Sequence, residues 1–382
     1  MDPVRFQAPE AGRIIKVPTG YVAFVPAPLP PKLVYDPALV LALSRADALL
    51  GELSAMGRQL PNPHLLIAPY MRREAVSSSR IEGTRTTLPE LLMDEMGARG
   101  LDERREDLRE VRNYVIALEL GLRRLRDLPL SLRLVREIHA RLMKGVRGDR
   151  ATPGEFRRSQ NWVGAPNSTP TTAEYVPPPP MEMMEALYSW ERFLHERAVI
   201  PDLITCGLMH EQFEAIHPFL DGNGRVGRLL IALFLIERGR LSQPLLYLSE
   251  FIESRRDEYY RCLQAVRTHG DWNGWLRYFL EGVEWTSQKA LRQAKELTDL
   301  RERLRRRLSS RTKALRVVDE LFVNPYITVA RAEKLLKVSN PTARQIVRVL
   351  EAEGMLHEVS GRAWGRLYVS RPILKAIQAT GD

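Results

Sequence analysis

The run from Arg225 to Arg238, RVGRLLIALFLIER, has helical length and is apolar on most sides. A helix with one apolar stripe can lie on a surface, but one that is apolar nearly all round has to be enclosed. Gly239 closes it, as glycine does where a helix ends in a left-handed turn. Its longest apolar stretch, Leu229 to Ile236, is far short of the ~20 residues that span a bilayer. The enclosure is therefore expected to be protein, with no membrane partner. Just before it, Leu203 to Ile216 has helical spacing, with Cys206, Met209, Phe213 and Ile216 on one face. These two segments predict a mainly α domain with 225–238 at its centre.

The rest of the chain fits around that core. Helical periodicity begins near Pro37, recurs from Tyr70 to Glu82 until Gly83, and continues from Leu88 and between Leu101 and Lys144. Residues 1 to about 34, with several prolines and Gly20, read as an extended arm. Thr152 to Pro180 is rich in Gly, Asn and Thr and ends in Pro177 to Pro180, a run that favours extended backbone. It reads as a short hairpin or flap, with Trp162–Val163 and Glu174–Val176 as its arms and a long helix starting near Met181. Leu291 to Leu308 reads as a charged helix with a narrow leucine seam, leading to a separate domain near Ser310.

In that last segment, Lys313 to Val323 gives one helix and Thr328 caps a second through Leu336. Asn340 and Pro341 make a cap and first-turn pair for a third, which Gly354 ends. Leu356–Val359 and Leu367–Val369 would be strands around Ser360–Gly361, giving a winged helix-turn-helix domain. The segment holds twelve Lys+Arg against seven Asp+Glu, with Arg344 and Arg348 on the polar side of the third helix and Arg362 and Arg366 near the wing. Such a helix can enter the DNA major groove; the same fold also docks proteins, so DNA and protein partners both stay open here.

Composition narrows the rest. The chain has 382 residues, a length that suits two or three domains, and a net charge of +10 that allows an anionic partner without identifying one. Cys206 and Cys262 are too few for a disulfide framework or a four-cysteine zinc site. MDPVRFQAPEAG lacks an apolar signal core, and a reducing cytoplasm is the expected location.

The most informative stretch joins the two central helices: His217-Pro218-Phe219-Leu220-Asp221-Gly222-Asn223-Gly224-Arg225-Val226-Gly227-Arg228. The first amides of a helix have no internal partner, and the helix dipole makes that end positive. Glycines let those amides approach an anion closely, so this loop reads as a phosphate cradle. Arg225 and Arg228, one turn apart, supply guanidinium forks that suit phosphate oxygens. Asp221 in an anion-seeking loop points to a metal, since one carboxylate plus phosphate oxygens is the usual Mg²⁺ arrangement. An imidazole such as His217 can take a proton near neutral pH. An EF-hand is excluded: Arg225, Val226 and Ala232 stand where an oxygen ligand, the glycine and the glutamate are needed. The G-x-x-x-x-G-K-[ST] pattern of a Walker A loop is absent from this stretch.

This stretch resembles the Fic family signature H-P-F-x-[DE]-G-N-G-R-x-x-R, at every defined position, and the resemblance spans roughly residues 35 to 255. It implies an all-helical core with a small β-hairpin flap, and a nucleotidyltransferase that moves AMP from ATP to a hydroxyl of a target protein. By resemblance, His217 would be the general base, and Phe219 would anchor the loop. Asp221 would hold Mg²⁺ or Mn²⁺, and Gly222, Asn223 and Gly224 would line the anion hole. Arg225 and Arg228 would hold phosphate oxygens. The flap, residues 161–176, would pin an extended target segment presenting Tyr, Thr or Ser; self-modification and a homodimer are compatible with the same reading.

The implied division is 1–110 for an N-terminal arm and helical region, 111–255 for the catalytic core, 256–309 for a helical connector and 310–382 for the winged helix. Ser78-x-x-x-Glu82-Gly83 resembles the family's inhibitory helix. Glu82 paired with Arg228 would occupy the fork that the γ-phosphate needs, giving an autoinhibited enzyme. In some members of the family the equivalent glutamate supports AMP removal instead. The alternatives are therefore a de-AMPylating enzyme, or a DNA-binding regulator that senses ATP; a sensor needs no base, and His217 favours catalysis.

Overall fold

A computed structural model describes residues 1–59, 63–97, 104–146, 152–196, 199–308 and 311–378. The apolar segment forms helix α8 (Asn223–Glu237), and its residues Val226 to Leu235 are all buried. It begins at Asn223 rather than Arg225, so the helix starts inside the glycine-rich loop. The preceding helix α7 (Asp202–Ile216) is buried at every position from Leu203 on. Fully burying each large apolar side chain is worth about 1.5–3 kcal/mol. The loop between α7 and α8 is thus gripped at both ends by the most enclosed part of the molecule.

Helices α4 (Arg105–Arg124), α5 (Leu132–Leu142) and α6 (Pro180–His195) complete the shell around this pair. Gly121 lets α4 close on α8, since a Cβ there would meet Leu233 Cδ1 at 2.7 Å. Trp190 of α6 is fully buried and donates from Nε1 to the Met209 carbonyl at 3.0 Å.

The remaining α-helices up to His269 are α1 (Pro37–Gln59), α2 (His64–Ile81), α3 (Leu88–Glu95), α9 (Ser249–Ser254) and α10 (Arg256–His269). α3 starts with a capping box between Thr87 and Glu90. The charged helix read at 291–308 is the end of a much longer one, α11 (Trp272–Arg307). Its first half is core: Trp275 is buried and donates to the Gly207 carbonyl at 2.9 Å.

The N-terminal segment departs from the extended arm of the sequence reading. It forms an antiparallel hairpin, β1 (Gly12–Lys16) and β2 (Val22–Pro26), with Ile14 opposite Phe24. Phe24 also donates its backbone N–H to the Val176 carbonyl at 2.9 Å, and packs with Ala173, Tyr175 and Val176 in a small second core. The hairpin therefore backs the flap. The flap itself is slighter than two paired arms: its ladder is the single antiparallel bridge Val163–Tyr175.

The C-terminal segment runs α12 (Thr312–Val323), β3 (Tyr326–Thr328), α13 (Val329–Leu336), α14 (Asn340–Ala352), β4 (His357–Glu358), β5 (Leu367–Val369) and α15 (Arg371–Gln378). The strands form an antiparallel sheet in the order β3-β5-β4, and β3 has no counterpart in the sequence reading. The Thr328 side chain accepts from Arg331 N at 3.2 Å and so caps α13. The cap of α14 is Ser339, one residue before Asn340. This segment is bonded to α3 and α2: Asn324 donates to the Leu92 carbonyl at 3.0 Å, and Arg73 of α2 donates to the Ile377 carbonyl at 3.2 Å. The expected boundary at 309/310 lies outside the described residues. Among the described residues, no helix is long and apolar enough to cross a membrane.

Candidate active site

The site is built on the α7–loop–α8 hinge. His217 ends α7 in the left-handed region (φ 49°), which turns the chain sharply out of the helix. Its Nδ1 lies 3.4 Å from the Glu214 carbonyl, which suits an Nδ1–H donor and leaves Nε2 as the acceptor. Burial, followed by the charges of Arg157 and Arg267, pulls the His217 pKa down to about 4, so the ring is neutral at pH 7.

Phe219 is completely buried and stacks on His139 of α5, centroids 3.7 Å apart. His139 Nδ1 accepts from Gly154 N at 2.8 Å, so its Nε2 carries the proton given to the Asp221 carbonyl at 3.0 Å. Gly222 (φ 79°) makes the tight turn that follows, and a Cβ there would meet Met143 Sδ at 2.8 Å. Both polar atoms of the Asn223 side chain are spent on the loop: Oδ1 accepts from Phe219 N and Nδ2 donates to Phe219 O, each at 2.8 Å. Only the backbone amide of Asn223 is thereby left to meet an anion.

No side chain caps α8 among the described residues. What stands at that uncapped, positive end is Glu82, the residue that closes α2. A Cβ on Gly224 would meet Glu82 Oε1 at 2.5 Å and Arg228 Nη1 at 2.9 Å. Glu82 Oε1 is 2.7 Å from Arg228 Nη2, while Ser78 takes two more bonds from the same guanidinium, Oγ from Nε and its carbonyl from Nη2, both at 2.9 Å. The Arg228 side chain is 2% exposed and that of Glu82 34%. Burial by itself would raise the Glu82 carboxyl, but the charge and hydrogen bond of Arg228, with Arg225 and His217 beyond, hold it below its ordinary value.

The structure gives Arg225 a partner that the sequence does not show. Its Nη1 pairs with Glu110 of α4 at 2.9 Å, with both side chains almost fully buried. Its Nη2 is 3.7 Å from Asp221 Oδ1. Arg225 therefore ties the loop to α4 as well as facing the acid. The Asp221 side chain is half exposed, and its Oδ1 accepts from Gly222 N at 2.6 Å. Among the described residues no cluster of three or more His, Cys, Asp or Glu could hold a metal alone. One exposed carboxylate beside an anion cradle nevertheless fits Mg²⁺, which is commonly held by one or two carboxylates plus substrate phosphates.

Arg157 has no local sequence signal that ties it to the site. It is buried, and it donates to the carbonyls of His217 (2.9 Å), Ser159 (3.2 Å), Ile216 (3.4 Å) and Pro178. Asn161 adds bonds to the carbonyls of His217 (3.3 Å) and Phe219 (2.7 Å), and Tyr175 OH donates to Ala215 O at 2.6 Å. These three side chains fasten the flap to the turn that presents His217. A cation placed on the last carbonyls of α7 also meets the negative end of its dipole.

A neutral histidine, an uncapped helix start and a paired arginine thus meet at one turn of a helical core, an arrangement able to receive an anion. Residues 40–123 match the Fic/DOC family N-terminal region, and residues 129–235 match the Fic/DOC family. The chain belongs to the Fic/DOC family. Protein adenylyltransferase Fic of Drosophila erecta is 27% identical to it over 181 residues, 46% of this chain and 33% of that protein. The match thus spans about a third of the length of that relative. A Fic family protein from Desulfovibrio desulfuricans G20 shares the fold at 20% identity and a TM-score of 0.60, covering 90% of this chain and 98% of that one. A Fic domain containing signaling protein from Bacteroides thetaiotaomicron does so at 19% identity and a TM-score of 0.52, over 68% of this chain and 97% of that one.

Proposed function

We propose that the chain transfers AMP from ATP to a hydroxyl side chain of a protein, and that Glu82 restrains it. The observation that carries this reading is the neutral His217 imidazole on the same short loop as the uncapped α8 terminus and Arg228. In the step envisaged, the target oxygen attacks the α-phosphorus. A new O–P bond forms, and the bond from that phosphorus to the oxygen bridging to the β-phosphate breaks. Pyrophosphate leaves with the electron pair, and the target proton passes to His217 Nε2. The α8 amides and Arg228 would hold the phosphate oxygens, with no reorganisation needed at the moment of transfer. Asp221 would hold Mg²⁺ or Mn²⁺, which neutralises charge on the triphosphate when bound.

Glu82 supports a restrained enzyme, because its carboxylate lies on the arginine that a terminal phosphate would need. Trp162 and Val163, 41% and 36% exposed on the flap, give a target segment an edge to lie against.

The test is incubation of wild type, Glu82→Gly and His217→Ala with Mg²⁺ and α-labelled ATP, with and without cell lysate. Label is expected in protein with Glu82→Gly at roughly ten times the wild-type rate or more, equivalent to ~1.4 kcal/mol of barrier. It is expected to be absent with His217→Ala. No label with any folded variant overturns AMP addition. Loss of label from a pre-labelled target would then identify AMP removal.

A further inference from the structure

The α14 helix presents Pro341, Arg344, Gln345 and Arg348 to solvent, opposite buried Ala343, Val347 and Leu350. Across from that face runs the β4–β5 connection, exposed at every residue from Gly361 to Arg366, with Trp364 79% exposed. Together with Met96–Gly97 after α3 and Thr328–Ala330 at the start of α13, they line a groove of about 900 Å³. Arg344, Arg348, Arg362, Arg366 and Trp364 all line it, and no carboxylate does among its described lining residues. Two acids of the same segment are engaged locally: Glu333 accepts from Asn340 at 2.7 Å, and Glu358 accepts from the amides of Ser360 (2.8 Å) and Gly361 (3.0 Å).

Arg344 and Arg348, one turn apart on that groove, are like charges that repel each other, and an exposed tryptophan forgoes the burial that its ring would gain. A polyanion relieves both costs at once. Arg344 is already poised: its Nε is fixed on Asn340 Oδ1 at 2.8 Å, and its guanidinium sits 5.9 Å from the centre of the Trp364 ring.

We infer that this groove binds duplex DNA, with α14 in the major groove and the Gly361–Arg366 connection along the adjoining backbone. The B-form major groove is ~12 Å wide and admits a helix of about 10–12 Å. Arg344 and Arg348 share the face of α14 that would enter it. A single strand is better served by several exposed aromatic faces in succession, and of the two aromatic residues lining this groove Trp364 is exposed while Tyr368 is buried. The inference is independent of AMP transfer, and either can fail without the other.

The experiment is an anisotropy titration of the full chain against a short fluorescein-labelled duplex of mixed sequence, at several salt concentrations. Four phosphate contacts predict log K falling against log[salt] with a slope of about −3 to −4. Arg344→Glu/Arg348→Glu is expected to weaken binding at least roughly tenfold and to flatten the slope by about 2. Arg5→Glu/Arg126→Glu, with the same change of charge outside this segment, is expected to bind like wild type. Should the first pair lower the melting temperature, Arg362→Gln/Arg366→Gln makes the same test on the connection. Equal weakening by the control pair, wild-type binding by the groove variants, or equal affinity for single strands, RNA, anionic vesicles or an acidic peptide overturns the inference.

Discussion

Glu82 Oε1 lies 2.7 Å from Arg228 Nη2, across the start of α8, while Ser78, one turn earlier in α2, holds Nε of the same guanidinium. One helix therefore fixes the arginine and fills the space in front of it. Gly224 is where that space is tightest, because an added Cβ would stand 2.5 Å from Glu82 Oε1.

Gly224→Ala is accordingly expected to cost about 1–3 kcal/mol through overpacking. In a Glu82→Gly background the cost should shrink by about half or more, since the remaining clash is with the movable tip of Arg228. Urea unfolding of the four proteins of this cycle measures it. Equal costs in both backgrounds would mean that Glu82 does not occupy this space.

The acid limb of the proposed AMP transfer should reflect burial of His217. Its pKa lies at about 4 instead of the ordinary 6.5, so the neutral base is present at every pH above that value. For Glu82→Gly, kcat/KM is expected to stay flat from about pH 8 to 6 and to fall only below about pH 5. A midpoint near 6.5 would place the base in water.

Glu214 tests the same burial with the opposite sign. Desolvation, with help from Glu82 and Glu211, pushes its pKa up to about 7 against the pull of Arg228 and Arg267, and its Oε1 lacks a hydrogen-bond partner. A raised folded pKa means that the folded chain binds the proton more tightly, so this contribution is full below about pH 4.5 and lost as pH rises through about 7. Glu214→Gln removes the titration and should gain about 1–3 kcal/mol on wild type between pH 5 and 8. Stability curves that run parallel over that range would contradict it.

Arg157→Lys should loosen the turn at His217 despite keeping the charge. A point-charge ammonium cannot span the carbonyls that the guanidinium fork reaches. A loss of about 2–4 kcal/mol is expected from the missing charged hydrogen bonds, with AMP transfer by the Glu82→Gly protein falling as well. Unaltered stability and transfer would reduce Arg157 to a passive core residue.

The helical class and the loop were legible because their signals are contiguous. Ten buried residues in a row from Val226 announce a central helix, and a cradle that uses successive residues is written in sequence order. Arg157, His139, Asn161 and Glu110 were not legible as parts of the site. Each reaches the loop from another element through backbone carbonyls or a buried charge, and leaves no local pattern. The N-terminal hairpin did leave one: β-branched and aromatic runs flank Pro18-Thr19-Gly20, and weighing the prolines above that alternation hid it. The flap was placed correctly along the chain but overbuilt, because extended backbone near prolines does not require a partner strand.

The position of Glu82 makes it a ligand tethered to its own receptor. Its effective concentration at the α8 terminus is set by the rigidity of α2 and not by the amount of protein, so dilution does not lower it. What can lower it is displacement of the end of α2, a helix that the C-terminal segment grips through Arg73 and Ile377.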